Sequence, residues 1–143
     1  MDERQSKLEP ALIAAYKNTL FQAHFGDEVI TLRVGQKCTA LQELFAQHNV
    51  TTACYITAYN PFGRVLTKQE NEARNSRLET ELIPLYPIYE GLGVDPNGEW
   101  EGEASFLALG ASKDASFALA AAWEQNAVVF VDESLSVSLL LTR

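Results

Sequence analysis

Residues 51–59, Thr-Thr-Ala-Cys-Tyr-Ile-Thr-Ala-Tyr, read as a strand with two apolar faces, and the chain then turns at Asn60-Pro61. Successive strand side chains point to opposite faces, so such a strand needs cover on both sides and belongs in the middle of a sheet. Asn60-Pro61-Phe62-Gly63 is turn chemistry. Thr67-Lys-Gln-Glu70 forms a capping box that opens the longest helix, expected over about 68–83 and stopped by Pro84. A strand end feeding a helix start is where compact domains hold working groups on rigid supports, so the junction is a candidate site.

The remaining elements frame that junction. Pro10 suits the first turn of a helix ending near Asn18. Strands 20–25 and 28–34, split by Gly26-Asp27, read as a hairpin. A second capping box, Thr39-Ala-Leu-Gln42 with Thr39 as N-cap, opens a helix ending near His48-Asn49. Residues 85–92 and 104–109 read as strands, with a turn at Pro96-Asn97-Gly98. Ser112 caps a helix over about 113–124, and 126–131 and 137–141 close the chain as strands. Helices and strands mix without strict alternation. The expected fold is α+β: one domain over residues 1–143, helices packed on one mixed or mainly antiparallel sheet, with residues 1–8 charged and frayed. An α/β three-layer arrangement is the alternative.

Composition narrows the function classes. A net charge of -8 argues against nucleic acid and against an anionic membrane surface, both of which require clustered Lys and Arg. The amino terminus is polar and no apolar run approaches membrane length, so the expected location is the cytoplasm. Cys54 lies in the apolar strand and reads as a buried hydrophobe. Cys38 precedes a helix beside Lys37, which would lower its pKa, a weak signal for a nucleophile. His24 and His48 have no metal-ligand spacing, Gly91-Leu-Gly93 runs into Asp-Pro and not into a helix, and neither a phosphate-binding loop nor a serine elbow occurs. No cofactor and no metal are expected.

The long helix carries the sharpest signal. Its inward stripe holds Leu78 and Leu82, but one turn and two turns back it holds Asn75 and Asn71. Arg64 and Arg74 lie near enough to join them, as does Asn60. One reading is a polar pocket in which arginines hold a small anionic ligand and amides orient it. The other is that the asparagines hydrogen-bond the loop backbone and hold the turn. Trp100, in the acidic stretch Asp95 to Glu103, either pins its loop or offers a contact surface. Gln125 and Asn126 either form a helix C-cap, with Asn126 left-handed, or complete the pocket.

Three functional readings follow. The first is a binding or regulatory module with an Arg/Asn-lined site built from Asn60, Arg64, Asn71, Arg74 and Asn75, with Trp100, Gln125 and Asn126 as neighbours. The second is an enzyme of unrecognised class using the same pocket, with Glu70, Tyr59 or Tyr55 as candidate bases. The third is an acidic inhibitor that offers carboxylates to a protein partner. Oligomeric state is left open.

The set Ile56-Thr-Ala-Tyr-Asn-Pro61, Glu70-Asn71 with Arg74, Trp100-Glu-Gly-Glu-Ala-Ser-Phe and Gln125-Asn-Ala127 resembles an uncharacterised bacterial family, domain of unknown function 3293. The likeness runs from about Tyr16 to Phe130. It implies a short single-domain protein and brings no activity with it. Where the family pattern has Glu-Pro-Ser after the Trp, this chain has Glu101-Gly-Glu-Ala-Ser105.

Overall fold

The structure is a computed structural model that describes residues 2–143. Helix α1 spans Pro10–Asn18, strands β1 Leu20–Phe25 and β2 Glu28–Leu32 form the hairpin, and α2 spans Leu41–His48. β3 (Ala53–Ile56) leads through a 3-10 turn at Pro61–Gly63 into α3 (Lys68–Leu82). β4 (Ile88–Val94), β5 (Glu103–Leu109), α4 (Lys113–Ala122), β6 (Ala127–Val131) and β7 (Val137–Leu141) complete the chain. The fold is α+β, with four α-helices and a seven-stranded sheet in the order β2-β1-β4-β5-β3-β6-β7. Every strand pair is antiparallel.

Both faces of β3 are buried, as its two-sided apolar pattern requires. One face of the sheet, through Cys54, Ile56, Phe106, Ala108, Val128 and Phe130, packs on Leu78 and Leu82 of α3 and Leu119 and Ala120 of α4. The other face curls inward around Phe21, Ala23, Leu32, Tyr55, Leu107, Leu109, Val129 and Val131, making a half-barrel. Leu41, Leu44 and Phe45 of α2 plug this interior. The segment after β2 reaches the far edge: Gly35 N–H donates to the Val137 carbonyl, Cys38 N–H to Leu135, and Val137 N–H to Gln36. These bonds tie the two edges of the sheet together at one end and satisfy backbone groups that an open edge would expose.

Local differences from the sequence reading have physical causes. The capping box at Thr39 does not form. Ala40 is the N-cap, in right-handed helical conformation and without a side-chain bond, because the Cys38 and Thr39 carbonyls already accept the Leu41 and Gln42 N–H groups. Asn49 ends α2 in the left-handed region at φ 53°. β4 begins at Ile88, later than residue 85, since the chain beyond α3 first turns with Leu85 and Tyr86 N–H donating to Leu82. Residues 2–8 make a turn, from which the Ser6 hydroxyl donates to the Arg143 carbonyl.

Tyr55 crosses the interior. Its phenol donates to the Gln22 carbonyl on β1 at 2.7 Å, and its ring meets Phe21 edge-on at 5.3 Å. The path runs over Gly91, where a Cβ would stand 2.3 Å from the Gln22 carbonyl oxygen and 2.7 Å from the Tyr55 hydroxyl. Gly91 is therefore required by crowding. Gly91→Ala is expected to lower stability by about 1–3 kcal/mol, the usual range for forced overpacking, in urea denaturation. Adding Tyr55→Phe should not restore it, because the backbone carbonyl remains in the way.

Candidate functional site

β3 and β5 pair as far as Ile56 opposite Phe106, and there they part. Two residues further on, the same register would bring Ala58 opposite Ala104. Instead the Asn75 amide stands between them: its Oδ1 accepts the Ala58 N–H at 2.9 Å and its Nδ2 donates to the Ala104 carbonyl at 3.0 Å. Thr57 Oγ1 donates to the same carbonyl at 2.7 Å. An asparagine side chain thus replaces a ladder step, and the strand expected over 51–59 is cut to Ala53–Ile56.

One helical turn earlier, Asn71 holds the loop beyond β3. Its Oδ1 accepts the Asn60 N–H and its Nδ2 donates to Asn60 Oδ1, both at 2.9 Å. Asn60 Oδ1 also accepts the Leu66 N–H at 3.0 Å. These bonds fix a backbone that is left-handed at Asn60 (φ 47°), Phe62 (φ 50°) and Gly63 (φ 77°). The Thr67–Glu70 capping box then forms in full at the start of α3.

Arg74 is only 15% exposed at its side chain. Its Nε donates to the Ala58 carbonyl at 2.8 Å and its Nη2 to the Trp123 carbonyl at 2.9 Å, and Nη1 lies 3.6 Å from Glu124. Gln125 Nε2 donates to the Tyr59 and Trp123 carbonyls at 3.1 and 3.2 Å. The left-handed residue after α4 is Glu124 (φ 55°), not Asn126. Asn126 is buried between the ends of the chain, its carbonyl accepting the Thr142 N–H.

Where β3 and β5 part, the half-barrel opens into a cavity of about 530 Å³. Tyr55, Val129 and Leu139 form its interior wall, Leu12 and Tyr16 of α1 lie across it, and Tyr59, Val65 and Trp100 stand toward its mouth. Val65 is 83% exposed and Trp100 38%. The chemistry of the cavity centres on Glu103, the first residue of β5, which points inward on the same face as Ser105 and Leu107. Its Oε2 accepts from Asn60 Nδ2 at 3.3 Å. Burial pushes its carboxyl above the ordinary carboxylate range, and the Asn60 bond only partly opposes this. Its charge is felt across the space: burial first, then Glu103, raises the phenol of Tyr16, while burial, Glu72, Glu103 and Glu101 raise that of Tyr59.

Of the residues singled out in the sequence, Asn60, Asn71, Trp100 and Gln125 line this cavity. Arg64 is exposed and, like Arg74, Asn75 and Asn126, is not among the lining residues. Among the candidate bases, Glu70 spends its carboxylate on the capping box, which holds its pKa below the ordinary value. Tyr55 is committed to Gln22, and burial pushes its phenol well up. Cys38 is not activated by Lys37; burial raises its thiol, and Cys54 is pushed up to about 12 for the same reason. Glu103 is the residue the sequence reading missed. Its signal was parity: extending strand 104–109 back by one residue puts Glu103 and Ser105 on the face of Leu107 and Leu109.

A protein-family model described as "Protein of unknown function (DUF3293)" matches residues 56–128. That segment holds the parting of β3 and β5, the Asn60 loop, all of α3, and Glu103. No curated protein and no solved structure matches the chain.

Two outcomes are expected. Asn75→Ala leaves the Ala58 N–H without its partner and takes one donor from Ala104, so stability should fall by about 1–3 kcal/mol in urea denaturation. Glu103→Gln keeps an acceptor for Asn60 and removes a half-buried charge. Because the folded pKa lies above the unfolded one, the folded state binds more protons between the two, and wild-type stability falls as pH rises through that window. The melting temperature of Glu103→Gln should therefore exceed that of wild type at pH 7. The gap should close as pH drops below the unfolded carboxylate range.

Proposed function

Because the chain belongs to the DUF3293 family of proteins of unknown function, a membership that transfers no activity, we propose its role from the cavity itself: a small-molecule binding or regulatory module whose ligand enters the open end of the half-barrel. The observation that carries this reading is a cavity of about 530 Å³ with aromatic and aliphatic walls and a few converging polar groups, Asn60, Asn71, Ser105 and Glu103. Cavities of this size, composition and position, in the mouth of a barrel-like sheet, are typical small-molecule sites. Local cost points the same way. Three residues in the Asn60–Gly63 loop are held left-handed, two of them not glycine, and such strain concentrates at ligand sites.

The anionic ligand expected from Arg64 and Arg74 has less support. Neither lines the cavity, and Arg74 directs its donors at backbone carbonyls and Glu124. The inhibitor reading would be favoured by a flat acidic face, and the site here is concave. Catalysis in the same cavity is the second reading. Its specific support is Glu103, whose carboxyl burial pushes above the ordinary carboxylate range, the direction a general acid or base requires.

Gly93 offers a direct test. It lines the cavity, and a Cβ there would meet only ordinary contacts at 3.8 Å, with no positive φ to strain. Gly93→Leu is expected to fold and to fill the space. Wild type should enhance the fluorescence of the neutral probe N-phenyl-1-naphthylamine, and Gly93→Leu should cut that binding at least tenfold. Equal binding by both proteins would overturn the reading.

A further inference from the structure

The walls of the cavity and the charges around it are not matched to each other, and the mismatch describes a ligand. The cavity carries two carboxylates, Glu101 and Glu103. Lys68 is the single basic residue lining it among the described residues. Lys68 is exposed at the first turn of α3, and its ammonium lies 3.8 Å from Glu72, itself a further carboxylate near Tyr59. Glu103 is paired with a neutral amide and no cation. A carboxylate partly withdrawn from water with one long hydrogen bond is costly to the fold unless something complements it. Asn60 supplies one donor to Glu103, and Tyr16, Tyr59 and Trp100 line the same cavity.

Aromatic faces and an uncompensated carboxylate in one cavity favour the same partner. A nitrogen cation gains from the ring quadrupoles and from the charge, and both gains grow as water is excluded. An anion would be opposed by Glu101 and Glu103 alike. We propose that the ligand of this cavity carries a positively charged nitrogen group, an amine, amidine or guanidine, that pairs with Glu103 while its body lies among Tyr16, Tyr59 and Trp100. This inference rests on the cavity being the binding site. It adds the sign of the ligand's charge and the residue that reads it.

The test uses three probes of nearly one shape: benzamidine (cationic), benzamide (neutral) and benzoate (anionic). Each is titrated into the full chain at pH 7 and followed by NMR chemical-shift changes. Benzamidine is expected to bind at least tenfold more tightly than benzamide, and benzoate more weakly than either. Glu103→Gln should remove the tenfold preference for benzamidine over benzamide, while the circular dichroism spectrum stays that of wild type. Three outcomes would overturn the proposal: the three probes binding alike, benzoate binding best, or benzamidine binding unchanged by Glu103→Gln. If N-phenyl-1-naphthylamine binds and Gly93→Leu blocks it while benzamidine does not bind, the charge inference fails and the cavity reading stands. If Gly93→Leu changes neither, both fail.

Discussion

One asparagine amide decides where this sheet stops being a sheet. By standing between Ala58 and Ala104, Asn75 satisfies one donor and one acceptor that would otherwise demand a ladder or water. The central strand can then leave its neighbour without an unpaired buried group. The space released is the cavity. Replacing the amide with an apolar side chain of similar size would not serve, because the two backbone groups would still need partners. The polar face on α3, unusual for a helix packed on a sheet, is the condition for opening the half-barrel at this end.

The rest of the architecture divides labour between two ends. At one end α2 fills the interior, and the bonds between residues 35–38 and 135–137 draw the outer strands together. This end is packed and tied. At the other end the strands diverge, α1 lies across the gap, and the Asn60 loop is held by Asn71, Arg74 and Gln125 through side-chain bonds to backbone. A tied, packed end with an open, side-chain-buttressed end sets the groups that line the cavity on a fixed frame. Tyr55 links the two, since its ring belongs to the core and also forms the cavity wall.

Much of this was legible in the sequence. Element order, the full capping box at Thr67 and the inward stripe Asn71-Asn75-Leu78-Leu82 follow from local periodicity and helix-end chemistry, which neighbours rarely override. Of the two readings of those asparagines, the hydrogen bonds are those of the clamp: Asn75 holds the strand ends and Asn71 holds the loop, and Asn71 also lines the cavity. What could not be read depends on register. Whether Glu103 belongs to the strand, and so shares the inward parity of Ser105 and Leu107, is decided by its pairing opposite Gly93, and the tie between residues 35–38 and 135–137 joins segments about a hundred residues apart. The arginines misled for a related reason. Spacing brings Arg74 to the right neighbourhood, but only the loop path shows that its donors are already spoken for by the Ala58 and Trp123 carbonyls.

Glu103 tests whether the cavity is a packing defect or a purpose. A sequence shaped for stability alone would put Gln, Thr or an aliphatic residue at this inward position, since burial without a cation only raises the cost of the charge. Arg74, three residues after Asn71 and one before Asn75, is turned to the carbonyls and Glu124 and not to Glu103. The molecule therefore holds the Arg74 cation on other partners and leaves the half-buried Glu103 carboxylate apart from it. Keeping them apart leaves the carboxylate available. A partner that brings its own positive charge would recover the solvation that Glu103 has lost, and it would gain most where water is most excluded.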